Sequence, residues 1–398
     1  MDFSLTDEQK MVQKTVREFV EKELVPLEQD VLRNEREGRP GISKEKIREL
    51  QAKAKGMGFW GILTPEEYGG ANLGPIMSAL IEMELSRTFV DFKFGGHAMN
   101  ILYTLNEEQK KKYLLPVLEG ERKECFALTE PGSGSDPRNM TTTAVKDGNE
   151  WVINGEKTFI SYGNEADFAI LFAKTGQEKS KDAEITCFLV DREMGWKSEN
   201  IETMGGWNPA SLIFDNVRVP EENIVGEIGE GIKYAMYFIN HNRGWVIPPR
   251  CVGASERLLQ MGIEFAKTRV TFGKPIVDRQ AIQWMIADSA IEIEAAKGIF
   301  LRAAWMAEKD GIWANSQDSI QFRHQAAISK FYGTNMVNRV VDRVLQIYGG
   351  MGVTKETPVE RWYRVVRVWR IFEGSDEMQR RTIADNLIKE KVKIGELL

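Results

Sequence analysis

Cysteine and histidine are scarce in this chain of 398 residues, with three of each. Cys125, Cys187 and Cys251 lie far apart among apolar neighbours, which argues against a disulfide framework or a thiolate metal site and predicts buried, inert thiols. His97, His241 and His324 are equally scattered and form no HxxxH pair, so no metal site is expected. No apolar run approaches the ~20 residues that a membrane helix needs. The first residues, MDFSLTDEQK, are acidic and polar, unlike a secretory or mitochondrial leader, and a cytoplasmic protein without membrane association is expected. An excess of positive charge is also lacking. With 53 Lys+Arg against 59 Asp+Glu the net charge is −6, and no general attraction to nucleic acid or anionic lipid follows. Internal repeats, low-complexity tracts and flexible linkers are absent from the pattern.

What is present is the balance of a globular protein, 42% apolar and 28% charged, with enough length for two or three domains. Residues 1–124 read as helical. Thr6 to Gln9 form a capping box, and Leu5, Val12, Val16, Phe19, Val20 and Leu24 fall close to one helical face, up to an expected stop or kink at Pro26. Further helices are expected over 43–55, 76–85 and 107–118. From Cys125 the pattern changes to seven short strand-like runs, starting at Cys125, Met140, Trp151, Thr158, Phe168, Ile185 and Ser211. They are rich in β-branched and aromatic residues and separated by turn formers, which predicts a compact antiparallel β domain over 125–235. Helical periodicity returns in long Ala/Met/Leu-rich segments across 236–398. The expected class is α+β, mainly α, in the order helical domain, β domain, helical bundle.

Four separated loops carry the chemistry. Thr129-Glu130-Pro131-Gly132-Ser133-Gly134-Ser135-Asp136 follows a strand, and its glycines and hydroxyls let the backbone approach a phosphate or a heterocycle closely. It is neither a dinucleotide fingerprint nor a P-loop, since GxGxxG and GK[ST] are both missing. Arg269, within Thr268 to Pro275, offers a planar fork suited to pyrophosphate. Gln346-Ile347-Tyr348-Gly349-Gly350-Met351-Gly352 ends a long helix with a glycine-rich terminus. Near the C-terminus, Arg370-Ile371-Phe372-Glu373-Gly374-Ser375-Asp376-Glu377 sets an acid between an apolar pair and a glycine.

With these motifs in their order and approximate spacing, the chain resembles the acyl-CoA dehydrogenases from about Leu5 to Asn386. The matching runs are PEEYGG (65–70), TEPGSGSD (129–136), VRVPEENIVGEIGEGIKYA (217–235), RVTFGKP with Gln280, QIYGGMG (346–352) and FEGSDEMQRR (372–381). The resemblance implies the same three-part fold, FAD as cofactor, acyl-CoA as substrate, and a homotetramer (or homodimer). It places Phe126, Leu128, Thr129, Gly134 and Ser135 around the isoalloxazine ring, and Phe159, Ile160 and Ser161 on a strand backing it. It places Arg269, Thr271 and Phe272 at pyrophosphate and adenosine. Gln280, Gln346 and Gly350, with Gly349 beside them, would reach the FAD of a neighbouring subunit, and Ser375 and Glu377 would complete the cofactor shell. Ser135, Asn240, Arg243 and Gly374 fall on the substrate side, Asn240 and Arg243 as holders of the CoA moiety.

The implied reaction is α,β-dehydrogenation of a thioester to a trans-2-enoyl-CoA, with Glu373 as the base for the α proton and flavin N5 as hydride acceptor. Ile371 and Phe372 beside Glu373 predict a desolvated carboxyl with a raised pKa. The Glu373 backbone N–H and a ribityl hydroxyl would polarise the thioester oxygen. Some relatives carry the base immediately before the CoA-binding arginine; here that residue is Asn242. An aspartate base, as in nitroalkane oxidation, is also absent. Phe372 and Phe159 stand where many relatives have tyrosine and tryptophan, and Pro248-Pro249 either kink the helix after Arg243 or sit harmlessly in a first turn. Electrons are expected to pass to an electron-transferring flavoprotein. The rival readings are an acyl-CoA oxidase using oxygen, against which the short length argues, and a non-catalytic FAD-binding protein of the same fold.

Overall fold

The first helix begins where its cap is encoded. The Thr6 side chain accepts from the Gln9 N–H and Gln9 reaches back to the Thr6 N–H, a closed capping box at the start of α1 (Asp7–Phe19). Its inward stripe, Val16 and Phe19 with Val20 and Leu24 beyond, is buried. The α-helix is interrupted around Pro26, as expected. A π turn (Val20–Leu24) and a 3-10 turn (Val25–Leu27) absorb the missing N–H and lead on into α2 (Glu28–Arg36). The computed structural model describes residues 4–39, 41–176, 184–205, 208–312 and 319–395. Helix α3 (Lys44–Gly56) is capped by Ser43. Helix α4 (Gly74–Leu85) is apolar on most sides and runs through the core. The short α5 (Glu107–Gln109) and α6 (Leu115–Glu119) are joined by a π turn.

The expected strands form one eight-stranded sheet from β1 (Glu124–Ala127), β2 (Thr143–Asp147), β3 (Glu150–Ile160), β4 (Phe168–Lys174), β5 (Ile185–Asp191), β6 (Lys197–Asn200), β7 (Ala210–Pro220) and β8 (Ile224–Val225), in the order β6-β7-β3-β2-β4-β5-β8 with β1 beside β4. Two corrections apply. The runs starting at Trp151 and Thr158 are a single strand, interrupted by register shifts against β7 rather than by a turn. The sheet is mostly, not wholly, antiparallel: β1 runs parallel to β4, which the long excursion through β2 and β3 permits, and β2 meets β4 in a single parallel pair. Strand β6 is exposed and polar, so no hydrophobic alternation announced it.

The remaining elements are α7 (Gly231–Trp245), α8 (Ile247–Thr268), the hairpin β9 (Val270–Thr271) and β10 (Lys274–Pro275), α9 (Gln280–Lys309), α10 (Ile320–Tyr348), α11 (Pro358–Arg367) and α12 (Asp376–Ile388). Pro248 and Pro249 occupy the first turn of α8, where proline costs no helical bond, and the chain bends at Val246 between two helices. A division after residue 235 falls inside α7, which starts at Gly231. One apolar core is shared by α1, α4, α8, α9, α10 and α11, so the first and last helical segments pack as one body. A second cluster lies between the sheet and α7, and a third covers the sheet's other face. Helix α7 therefore stands at the junction of sheet and helices. Among the described residues no helix is long and apolar enough to cross a membrane.

Candidate active site

Glu373 sits in a bend between α11 and α12, at φ +53°, followed by Gly374 at φ +85°. A glutamate in the left-handed region is strained and persists only where its surroundings hold it. Here they do. The Glu373 carbonyl accepts from Arg243 Nε and from Gln379 Nε2 (3.3 Å). The Gly374 carbonyl accepts from Gln379 Nε2 (2.8 Å) and Lys330 Nζ (2.8 Å). Gly374 also has no room for a side chain, since a Cβ would meet Arg243 Nη2 at 2.3 Å. Both carbonyls are thus tied into the helices. Among the described residues no acceptor engages the Glu373 N–H.

The Glu373 carboxylate is packed deep in the protein yet retains accessible area, as a group lining a cleft does. Burial pushes its pKa up to about 7 against the lowering influence of Arg243, of a hydrogen bond from Asn242 Nδ2 (3.2 Å) and of Lys330. That value suits a group that must take a proton near neutral pH. Asn240 and Arg243, expected at CoA, are turned inward. Arg243 is committed to the Glu373 loop, and buried Asn240 accepts from Arg243 Nη1 at 3.4 Å. In this geometry they brace the Glu373 loop.

The glycine loop is braced with equal care. Glu130 and Lys157 form an ion pair of 2.7 Å with side chains 1% and 0% exposed. Lys157 also donates to the Leu128 carbonyl (3.1 Å), while Glu130 accepts from the Thr141 and Thr142 N–H groups. Burial works against the Glu130 charge, but Lys157 and these donors outweigh it and hold its pKa down to about 2. Above this brace Gly132, Gly134 and Ser135 stand exposed, and a Cβ at Gly132 would meet nothing within 4 Å. The Thr129 carbonyl accepts from the Thr158 N–H (2.8 Å). There β3 shifts register, and Phe159, at φ +57°, is left 55% exposed. An open loop of backbone donors beside an uncovered aromatic wall fits a flat heterocycle carrying phosphates.

Not every expected side chain faces that space. Ile160 lies in the sheet core, Leu128 is buried, and Phe126 stacks on Phe238 of α7 (ring centroids 4.6 Å apart). The alternation of β1 and β3 turns these side chains inward and leaves only their main chain to a ligand. Ser161 follows β3 in a turn. Ser375 and Glu377 open α12, and Glu377 is exposed. The remaining residues form a separate surface. Arg269, Phe272, Gln280, Gln346, Gly349 and Gly350 are exposed and Thr271 half-exposed around a small apolar cluster of Ala266, Ile276 and Ile347.

Lys157, Lys330, Gln379 and Asn242 were not singled out from the sequence as supports. Two had a signal. Lys157 shares the inward parity of Trp151 and Ile153 on β3, and Lys330 falls in the apolar stripe of α10 with Ala326, Ala327 and Val337. A lysine at an inward position is rarely buried without a partner.

Sequence models of acyl-CoA dehydrogenases match nearly the whole chain: the N-terminal domain over residues 6–121, the middle domain over 125–217 and the C-terminal domain over 229–388. The chain is 35% identical to the (R)-benzylsuccinyl-CoA dehydrogenase of Thauera aromatica, covering 98% of each. It is also 35% identical to the caffeyl-CoA reductase–Etf complex subunit CarC of Acetobacterium woodii, covering 97% of this chain and 99% of that one. Among solved structures, the acyl-CoA dehydrogenase of Bacillus anthracis complexed with FAD superimposes with a TM-score of 0.84 at 30% identity, covering 99% of this chain and 68% of that one.

Proposed function

The chain belongs to the acyl-CoA dehydrogenase family, and from that premise we propose that it is an FAD-dependent enzyme that removes the α proton of an acyl-CoA thioester with Glu373. The observation that carries this reading is the Glu373 carboxylate, packed in the protein with accessible area left to it, its pKa raised by burial to about 7, on a strained loop whose carbonyls are held by Arg243, Gln379 and Lys330. Bound FAD supplies the acceptor for the β hydrogen. The exposed glycine loop over the Glu130–Lys157 pair and the uncovered Phe159 would hold the cofactor.

The residues divide the work. The Glu373 side chain takes the proton. Its N–H, free of protein acceptors among the described residues, would donate to the thioester oxygen as negative charge develops there. Asn242 orients the carboxylate. The likeness to a reductase–Etf complex subunit supports an electron-transferring flavoprotein as acceptor. A homo-oligomer is supported by the second surface, where Phe272 is 98% and Trp284 61% exposed beside Gln280 and Gln346.

The test is anaerobic titration of the flavin-loaded protein with a panel of acyl-CoAs, followed by reoxidation with an electron-transferring flavoprotein or with oxygen. Bleaching by at least one thioester and rapid reoxidation by the flavoprotein are expected. A protein that takes up no FAD, or is reduced by none of the panel, is not this enzyme, and rapid reoxidation by oxygen assigns an oxidase.

A further inference from the structure

Lys330 lies against the Glu373 loop with no opposite charge in contact with it. Its side chain is 0% exposed, in the buried stripe of α10 that includes Ala326, Ala327, Thr334 and Val337. Among the described residues the one acceptor of its ammonium is the Gly374 carbonyl (2.8 Å), which it shares with Gln379 Nε2. No carboxylate stands within ion-pair distance among the described residues. Asp376, which opens α12, attracts Lys330 from farther off, but its Oδ2 is committed to Arg370 Nε (2.7 Å) and Asn335 Nδ2 (3.1 Å). The same turn is therefore gripped by two cations: Arg243 holds the Glu373 carbonyl and Lys330 the next one.

Burial pushes the Lys330 pKa down to about 8, with Asp376 as the main opposing influence, so the ammonium keeps its proton at neutral pH. The other groups that face it come from three elements. Arg243 of α7 repels it and Glu373 of the loop attracts it, while Cys251 of α8 is a thiol that burial keeps neutral. A buried cation held by one carbonyl is costly, and packing does not call for it, since methionine would fill the same apolar stripe. The charge does reach the candidate base. Burial raises the Glu373 pKa, and Lys330 is one of three groups, with Arg243 and Asn242, that work in the opposite direction and favour the carboxylate. A charged donor also holds a carbonyl about twice as strongly as a neutral one.

We propose that Lys330 is a positioning residue for proton transfer and acts by its charge as well as by its hydrogen bond. The ammonium holds the Gly374 carbonyl, and with it the left-handed turn of Glu373. Its charge favours the ionised carboxylate that must accept the proton. This rests on the dehydrogenase reading above and deepens it, because it names what keeps a buried acid ionised enough to work near neutral pH.

The test compares the flavin-loaded wild type with Lys330→Gln, Lys330→Met and Lys330→Arg. Lys330→Gln keeps a donor without the charge, Lys330→Met keeps neither, and Lys330→Arg keeps both. The second-order rate constant of anaerobic flavin reduction is measured against pH, with a thioester that bleaches the wild type. Its rising limb should move upward by roughly half a pH unit or more in Lys330→Gln and Lys330→Met, and stay in place in Lys330→Arg. The limiting reduction rate should fall further in Lys330→Met than in Lys330→Gln. A second readout needs no turnover. The gap in melting temperature between each protein and its Glu373→Gln derivative, taken near pH 8, should be wider in the Lys330→Gln background than in wild type. A carboxyl whose pKa is pushed further up loses more stability once it is ionised. Limbs and gaps that match wild type, whatever the loss of rate, would overturn the role of the charge and leave Glu373 as the base. A wider gap in a protein that no thioester reduces would keep the Lys330–Glu373 coupling and overturn the dehydrogenase reading instead.

Discussion

The Nε of Arg243 on α7 donates to the main-chain carbonyl of Glu373, 130 residues further along the chain. This bond fixes Glu373 by its backbone, while Asn242, the preceding residue, reaches the same glutamate's carboxylate. Neighbouring residues of one helix thus set both ends of this glutamate. Arg243→Lys keeps the charge but loses the planar fork, and the loop should relax from its left-handed conformation. A displacement of about 1 Å at a reacting group costs roughly 10²-fold, and kcat/KM should fall by about that factor while bound flavin stays near its wild-type content. An unimpaired Arg243→Lys enzyme would remove the brace from the account.

The pH profile should follow Glu373. A base must be ionised to accept a proton, so activity is expected to rise with pH through about 7. The Asn242 hydrogen bond favours the ionised form. Asn242→Leu should therefore move the rising limb of kcat/KM upward, by roughly half a pH unit or more. A limb that stays in place, or moves downward, contradicts the assigned contact.

The same residue should govern a part of stability. Burial raises the Glu373 pKa from an ordinary 4.5 to about 7 in the folded chain. A raised carboxyl contributes stability that is complete below the unfolded value and is lost as pH climbs through the folded one. Glu373→Gln, which cannot ionise, should melt a few degrees above wild type near pH 8, and the two should converge towards pH 5. Thermal unfolding followed at several pH values decides this; a gap that widens on acidification has the wrong sign.

Lys157 and Glu130 are each buried for the other. Lys157→Met leaves the Glu130 charge without its partner, a change that typically costs about 3–5 kcal/mol. Chemical unfolding should show a loss of that order, together with weaker flavin retention, because Lys157 also holds the Leu128 carbonyl at the start of the glycine loop. Pairing the change with Glu130→Gln should recover part of the stability. No recovery would mean that the lysine acts through packing alone.

Much of this arrangement was legible in the residues. The capping box at Thr6, the change to strands at Cys125 and the acid between Phe372 and Gly374 are local signals, and the structure keeps each one. What was lost lies in long-range pairing. No local rule says that β1 runs parallel to β4, or that Arg243 points at a carbonyl rather than outward, because both depend on segments far apart in sequence.

The central claim is that Glu373 takes the α proton. Its most direct measurement is anaerobic mixing of the flavin-loaded protein with a reducing acyl-CoA, wild type against Glu373→Gln, with the flavin absorbance followed in time. Glu373→Gln should bind FAD and the thioester and bleach at least about 10³-fold more slowly than wild type. Bleaching at the wild-type rate would place the base on another residue.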